Sequence, residues 1–142
     1  MEIKLGKIDY TTLDRSVIFL YGSEVAARAL PLKRDEAAYL EQRRKDDISS
    51  LVVFGRLPHK IYVQNFDSEL PNSEALEKLR RAAAELQQTL SAEKVERVAV
   101  TGEGVIPEEV VAFLEGLHLA YSLWYLSCRY REAPEYMPED IS

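Results

Sequence analysis

The stretch that decides the fold covers residues 59 to 124 and reads HKIYVQNFDSELPNSEALEKLRRAAAELQQTLSAEKVERVAVTGEGVIPEEVVAFLEGLHLAYSLW. The apolar run from Ile61 to Phe66 has the length and composition of a strand. Leucine and alanine then recur at helical spacing from about Ser73 to Leu90 and predict an amphipathic helix. A second strand is predicted over Val95–Val100. Strand, helix, strand and helix in succession favour an α/β fold.

The end of this stretch predicts a final helix that begins at Pro107 and continues to about Trp124. Proline is favoured in the first turn of a helix, where its missing N–H costs no hydrogen bond. Gly116 lies inside the predicted helix and costs about 1 kcal/mol against alanine. Such a glycine predicts that another backbone approaches closely at this point.

The first half of the chain adds strands over residues 3–8, 16–21 and 51–54, the last forming a hairpin with residues 60–66. The complete order predicts a three-layer α/β sandwich, in which a mixed sheet is flanked by helices on both faces. We expect one domain over residues 1–131.

Two helices are expected between these strands. Ser23 is a candidate cap for a short helix that Pro31 would stop. Asp35 is a candidate cap for a second helix over the following ten residues. Ala38 and Tyr39 are predicted to face inward from that second helix.

Charge and composition exclude several classes of protein. The chain has 142 residues, is 46% hydrophobic, and has a formal net charge of -6. Residues 132–142 read as an acidic, proline-containing tail or linker, which leaves the body near neutral. This body lacks the basic surface that nucleic-acid binding requires, so nucleic acid is not expected as a partner. No apolar run is long enough to span a membrane, and the single cysteine fits a cytoplasmic location.

The segment Thr101-Gly102-Glu103-Gly104 reads as a loop ahead of a helix. Backbone N–H groups in such a loop can hold an anion, which makes Thr101, Gly102 and Gly104 candidate ligand-binding residues. The carboxylates of Glu108 and Glu109 already occupy the positive end of the same helix. The ordinary interpretation, a glycine turn without a ligand, therefore stays open.

Other reactive residue types have no partners at useful spacing. His59 and His118 are separated by about sixty residues and make no metal-binding motif. Cys128 has no histidine predicted beside it and is interpreted as a packing residue. We therefore predict neither a catalytic residue nor a metal ligand.

Aromatic residues at the end of the predicted helix suggest a contact surface. Tyr121, Trp124 and Tyr125 follow helical spacing just before the acidic tail. Aromatic side chains fill protein interfaces and protein cores equally well, so both interpretations stay open.

The region from Leu57 to Trp124 resembles the N-terminal domain of the leucyl aminopeptidase family. The resemblance rests on the helix segment Leu79–Ala84, on the strand Val95–Val100, and on Glu115–Leu119 followed by aromatic residues. It implies a macro-domain-like fold. It also implies a parent metallopeptidase, often hexameric, that uses two divalent metals (Zn or Mn) held in a separate C-terminal domain. This chain has no stretch like the Asn-Thr-Asp-Ala-Glu-Gly-Arg motif of that catalytic domain.

Two functions follow as expectations. The first is a non-catalytic domain without a cofactor of its own, which serves assembly or regulation of a separate catalytic domain. Its partners would be that catalytic domain and further copies of the chain, with no membrane involved. The alternative is a stand-alone macro-like domain that binds a nucleotide or an ADP-ribose-type ligand.

Overall fold

A computed structural model describes residues 2–5, 15–68, 73–95, 97–117 and 123–130. The described strands are β1 Glu2–Leu5, β2 Ser16–Gly22, β3 Leu51–Arg56, β4 His59–Phe66, β5 Arg97–Val105 and β6 Leu123–Tyr130. The described helices are α1 Arg34–Asp46, α2 Ser73–Ala92, α3 Pro107–Gly116 and a short 3₁₀ helix, Ala27–Ala29. None of these helices is long and apolar enough to cross a membrane.

The six strands form one mixed sheet in the order β1-β6-β5-β2-β4-β3. All neighbours are parallel except β3, which runs antiparallel to β4. Strand β2 lies in the middle, with Val17 opposite Ile61 on one side and Ala99 on the other. Its seven residues are all buried, as expected for a strand covered on both faces.

Alternate residues of the central strands pack into two separate cores. On one face Ile18, Leu20 and Tyr62 pack against α2 and α3. On the other face Val17 and Phe19 pack against α1 and the 3₁₀ helix. Because side chains alternate across a strand, each strand supplies both cores. The predicted three-layer sandwich with a mixed sheet is confirmed.

Helix α2 has the inward face that its sequence predicts. Leu79, Ala83, Leu86 and Leu90 are buried, and the helix packs against α3. The close approach predicted at Gly116 is also confirmed. A Cβ atom at this residue would lie 2.2 Å from the carbonyl oxygen of Arg80, so only glycine lets α3 end against α2.

The predicted hairpin of β3 and β4 is confirmed, with Phe54 opposite Ile61 in its register. The turn contains a cis peptide bond between Leu57 and Pro58. Pro107 is the first residue of α3, as predicted.

Two predictions about the last third of the chain were wrong. Residues 101–104 continue β5 and do not form a loop. Thr101, Gly102 and Glu103 pair with β2 on one side and β6 on the other, while Gly104 lies at an irregularity in the pairing with β6. The two-sided pairing outweighs the turn preference of this segment. The final helix ends at Gly116, well before Trp124, and residues 123–130 form β6 between β1 and β5.

Predictions for the first two helices also needed correction. Ser23 caps no helix, because its hydroxyl accepts a hydrogen bond from the backbone N–H of Ser68. Helix α1 has Lys33 as its N-cap, while Asp35 lies in the first turn. Ala38 and Tyr39 are exposed, and Leu40 is the buried residue of α1.

Several predictions fall outside the described residues. These include the ordinary packing of His118, the interface role of Tyr121, the end of the domain at residue 131 and the acidic tail over residues 132–142.

Candidate functional site

The carboxyl ends of β2 and β5 lie side by side, and the chain leaves them toward opposite faces of the sheet. After β2 it passes to the face covered by α1, and after β5 it passes to the face covered by α3. In open α/β sheets, ligands bind in the crevice that such a reversal creates. The carboxyl edge is therefore where this fold is expected to hold a ligand.

Between β2 and β5 this crevice is closed by direct backbone contact. A Cβ atom at Gly22 would lie 2.3 Å from the carbonyl oxygen of Gly104. Gly104 has a φ of 69°, a conformation that residues with side chains rarely adopt. A Cβ atom there would lie 2.6 Å from Cγ2 of Val25. The ends of these two strands therefore pack directly against each other and against Val25.

Arg44 fills the space above the end of β2. Its guanidinium lies 4.2 Å from the centre of the Tyr21 ring and donates hydrogen bonds to the carbonyls of Ser23 (2.6 Å) and Val25 (3.0 Å). It also donates to the Tyr21 hydroxyl and contacts the carboxylate of Glu41. The hydrogen-bond donors of Arg44 are therefore used by groups of the protein itself. Arg44 holds the turn after β2 in place and is not available to bind a phosphate.

Burial of Tyr21 changes its acidity. Removal from water raises the pKa of Tyr21 to about 12, although the nearby positive charge of Arg44 opposes the change. The Tyr21 hydroxyl donates to the carbonyl of Val25. At neutral pH this tyrosine is therefore a neutral hydrogen-bonding group and not a base.

Two serines join the ends of β2 and β4. The hydroxyl oxygens of Ser23 and Ser68 lie 2.9 Å apart, and the backbone N–H of Ser68 donates to the Ser23 hydroxyl at 3.0 Å. The backbone N–H of Glu24 donates to the Ser68 hydroxyl. These serines thus satisfy the backbone of this turn, which is a structural role.

A cavity of about 110 Å³ lies at the carboxyl end of β4, between the start of β3 and the first half of α2. We call it the β4 pocket. Its lining residues are Ile48, Ser49, Gln64, Asn65, Phe66, Asp67, Ala75, Lys78, Leu79, Ala82 and Glu109. Six of these have polar side chains, so the β4 pocket joins an apolar floor to several hydrogen-bonding groups.

Two buried amides organise the β4 pocket. Gln64 donates from Nε2 to the carbonyls of Ser49 and Asn65, both at 3.1 Å. Asn65 donates from Nδ2 to the backbone carbonyl and the hydroxyl of Ser50. The Oδ1 atom of Asn65 is buried and accepts no hydrogen bond from the part of the chain that the structure describes. A buried acceptor without a donor is uncommon and requires a physical explanation.

Three charged residues line the β4 pocket, namely Asp67, Lys78 and Glu109. Glu109 is 2% exposed, and its Oε1 accepts the backbone N–H of Ile106 at 2.9 Å, which caps α3. Lys78 is exposed on α2 at the rim. An exposed ammonium group at the rim can attract an anionic ligand while the interior holds an uncharged part.

A larger groove of about 580 Å³ lies on the outside of the fold, between the 3₁₀ helix and α1. Arg28 and Arg34 line it together with Leu32, and Glu41 lies at its border. Glu41 accepts the backbone N–H of Ala27 at 2.9 Å. We call this surface the α1 groove. It does not include the carboxyl edge of the sheet. Because Arg28 and Arg34 line it, the α1 groove is a second candidate site for an anion.

The structure separates the candidate ligand-binding residues of the sequence from the β4 pocket. Thr101 and Gly102 lie buried within β5, with Gly102 opposite Leu20 and Cys128 in the sheet. Gly104 lies at the carboxyl edge but packs on Gly22. The proposed loop is absent, and a ligand-binding role for these three residues stays a prediction.

The structure also places the aromatic candidates for an interface in a different element from the predicted helix. Trp124 and Tyr125 belong to strand β6 and pair with β1 and β5, so they do not share a helix face. Their interface role stays a prediction. Among the described residues, no group of three or more histidine, cysteine, aspartate or glutamate residues lies close enough to hold a metal ion.

The residues of the β4 pocket were not identified from the sequence, although the sequence contains a pattern that indicates them. Gln64 and Asn65 interrupt the apolar strand from Ile61 to Phe66. Two adjacent amides in a strand covered on both faces must find buried partners. Such a pair indicates a polar site inside the fold.

Comparison with known proteins supports the fold and leaves the family open. No family profile matches this sequence, and no curated protein sequence matches it. The structure is similar to that of a macrodomain of Thermus aquaticus DarG, with a TM-score of 0.52 and 16% identity. The match covers 89% of this chain and 96% of the macrodomain. The predicted macro-domain-like fold is confirmed.

The structure is also similar to that of a tomato leucine aminopeptidase, the K354E mutant, with a TM-score of 0.57 and 9% identity. This match covers 95% of the chain but only 34% of the aminopeptidase. The chain therefore spans about a third of that enzyme. Identities this low establish a shared fold and nothing finer.

Proposed function

We propose that this chain is a macrodomain-like binding module that takes a nucleotide or an ADP-ribose-type ligand at the β4 pocket. The observation that carries the proposal is a polar cavity at the carboxyl end of a parallel strand, which is where this class of fold holds its ligands. The nearly complete overlap with a macrodomain supports it.

The size of the β4 pocket sets what part of such a ligand it encloses. Its volume of about 110 Å³ is below the roughly 300 to 1,000 Å³ of sites that enclose a drug-sized molecule. We therefore assign one ring of the ligand to the interior. Ser49 and Gln64 would supply polar contacts there, and Lys78 at the rim would attract a phosphate.

Calorimetric titration with ADP-ribose and with AMP tests this function. We expect micromolar binding by the unmodified chain. Lys78→Ala should weaken binding about tenfold, because a charge-assisted hydrogen bond contributes on the order of 1.5 kcal/mol. Arg34→Ala is the matched control, since it removes an exposed cation from the α1 groove instead.

Either of two results would contradict this assignment. Loss of binding with Arg34→Ala and not with Lys78→Ala would move the ligand to the α1 groove. If neither ligand gives heat of binding at millimolar concentration, the chain does not have the proposed binding function.

A second function is supported by the closed crevice between β2 and β5. Backbone contact at Gly22 and Gly104, together with Arg44 beside the end of β2, occupies space at the carboxyl edge, where this fold normally binds a ligand. The observation favours a non-catalytic domain that serves assembly or regulation of an aminopeptidase-like partner. Under this proposal the chain, incubated with leucine p-nitroanilide and manganese, gives no hydrolysis and binds neither nucleotide in the titration above.

A further inference from the structure

Strand β3 is an edge of the sheet and pairs only with β4 among the described strands. The backbone N–H of Asn65 donates to the carbonyl of Ser50 at 3.0 Å, and these residues stand opposite each other just beyond the register Leu51–Gln64. Hydrogen-bonded and non-hydrogen-bonded pairs alternate along antiparallel strands. It follows that Val52 and Phe54 direct their backbone groups toward β4.

The intervening residues Leu51, Val53 and Gly55 therefore direct their N–H and C=O groups toward the free edge. Edge strands are commonly protected by charged residues, prolines or bulges. The run Leu51–Gly55 contains neither a charged residue nor a proline, and its register with β4 shows no bulge. The edge is thus a template for a further strand.

Exposed apolar side chains are concentrated around this edge. The exposed large hydrophobic residues of the described part of the chain are Tyr39, Ile48, Val53, Leu57 and Val111. Val53 lies in β3, and Ile48 and Leu57 flank it. Tyr39 packs edge-on against Phe54 of β3, with ring centres 6.4 Å apart. Exposed apolar residues on and beside an edge strand are typical of an interaction surface.

We infer that the occupant of this edge is a second copy of the chain, whose β3 pairs antiparallel about a twofold axis at Val53. The three outward-facing residues are symmetric about Val53, so each Leu51 would oppose Gly55 of the other copy. The outward N–H and C=O groups of Leu51 and Val53 then find partners, and the carbonyl of Gly55, which already accepts a hydrogen bond from Nη1 of Arg56 at 2.9 Å, would accept a second one. An interface that uses the same patch on both subunits has this symmetry.

The side chains are compatible with this pairing. Val53 would meet its own counterpart, and pairs of β-branched residues are favourable across strands. Gly55 leaves space for Leu51 of the other copy, since nothing lies within 4 Å of a Cβ atom at Gly55. Arg56, which directly follows the run, pairs with Glu36 and donates a hydrogen bond from Nη1 to the carbonyl of Gly55. No like charges oppose each other along the run.

The mass of the chain in solution tests the inference. At about 100 µM, above the micromolar Kd expected of a small interface, light scattering should give twice the 16.2 kDa of one chain. Val53→Lys should restore the mass of one chain, because a lysine on the edge blocks further pairing. Val111→Lys is the matched control, since Val111 is as exposed but lies on α3, and it should keep the doubled mass.

Cross-linking tests the register in a Cys128→Ser background. Cα atoms of a hydrogen-bonded pair lie about 5.5 Å apart, within disulfide range, so Val53→Cys should form a disulfide-linked dimer on oxidation. Gly55→Cys should not, because the two copies of residue 55 would be about 13 Å apart along the strands.

Three outcomes would overturn the inference. The first is a single-chain mass for the unmodified protein at this concentration. The second is a doubled mass that persists in Val53→Lys with an unchanged thermal melt, which would place the interface elsewhere. The third is equal cross-linking of Val53→Cys and Gly55→Cys, which would indicate random collisions.

Discussion

Gly22 and Gly55 lie near the ends of two strands of the same sheet, yet their surroundings are opposite. Gly22 lies at the carboxyl end of β2, where a Cβ atom would fall 2.3 Å from a backbone oxygen of β5. Gly55 lies on the edge strand β3 with nothing within 4 Å of its Cβ position. The first region is closed by contact with its own chain, and the second is open to another molecule.

This contrast separates a region that holds the fold together from regions that are open to another molecule. Between β2 and β5, glycine contacts and Arg44 use up the space and hydrogen bonds that a ligand would need. At the β4 pocket and the β3 edge, polar and apolar groups are left accessible. We therefore expect substitutions in the closed region to reduce stability most, and we expect recognition in the open regions.

The largest expected effect comes from adding one methyl group to each glycine. Gly22→Ala should lower the free energy of unfolding by about 3 kcal/mol, because the backbones of β2 and β5 must separate. Gly55→Ala should change it by less than about 1 kcal/mol. Urea denaturation of the two variants measures the difference, and equal losses would contradict the contrast between the regions.

A smaller effect is expected from Arg44→Met. Methionine keeps apolar bulk over Tyr21 but leaves the carbonyl of Ser23 without its Arg44 donor and the carbonyl of Val25 with the Tyr21 hydroxyl only, at a cost of about 2 kcal/mol. Arg34→Met, on the exposed surface of the same helix, is the control and should change stability little. If both variants unfold at the same urea concentration, Arg44 does not hold the closed region together.

The smallest expected effect appears only in alkali. Burial raises the pKa of Tyr21 from 10.0 to about 12. Below pH 10 this tyrosine is protonated in both states, and between pH 10 and 12 only the unfolded chain loses the proton. Stability should therefore fall in this window by about 1 kcal/mol per pH unit from Tyr21. Burial and the carboxylate of Glu93 raise the pKa of Tyr62 too, which adds to the fall.

Tyr21→Phe isolates this contribution, because phenylalanine keeps the ring beneath Arg44 and removes the ionisable hydroxyl. Urea denaturation at several pH values should show a shallower alkaline decline than in the unmodified chain. Tyr39→Phe, on an exposed ring, should leave the decline as it is. An identical decline in Tyr21→Phe would mean that Tyr21 does not carry the effect.

The sequence alone predicted an element correctly where the residue pattern of that element is enough to specify its structure. The inward face of α2, with Leu79, Ala83 and Leu86, follows from helical spacing. The start of α3 at Pro107 and the β3–β4 hairpin follow from local backbone preferences. The layer architecture follows from the order of these elements.

Prediction from the local sequence pattern failed where pairing with strands distant in the chain decides the structure. Residues 101–104 have a turn composition, but Thr101, Gly102 and Glu103 pair with β2 and β6 on both sides, which keeps the segment in strand β5. The run that contains Trp124 fits helical or strand periodicity, and its place between β1 and β5 makes it a strand. The exposed face of α1, with Tyr39, depends on how that helix rests on the sheet.

The sequence by itself determined that this chain builds an α/β sandwich, because periodic apolar residues identify each element and its buried side. Only the tertiary structure decided which parts are closed and which are open. The contact of Gly22 with Gly104 and the β4 pocket around Gln64 and Asn65 join residues far apart in the chain, and the position of β3 at the edge of the sheet depends on the order of all the strands. Such proximity arises from strand order and helix placement, which local preferences do not specify.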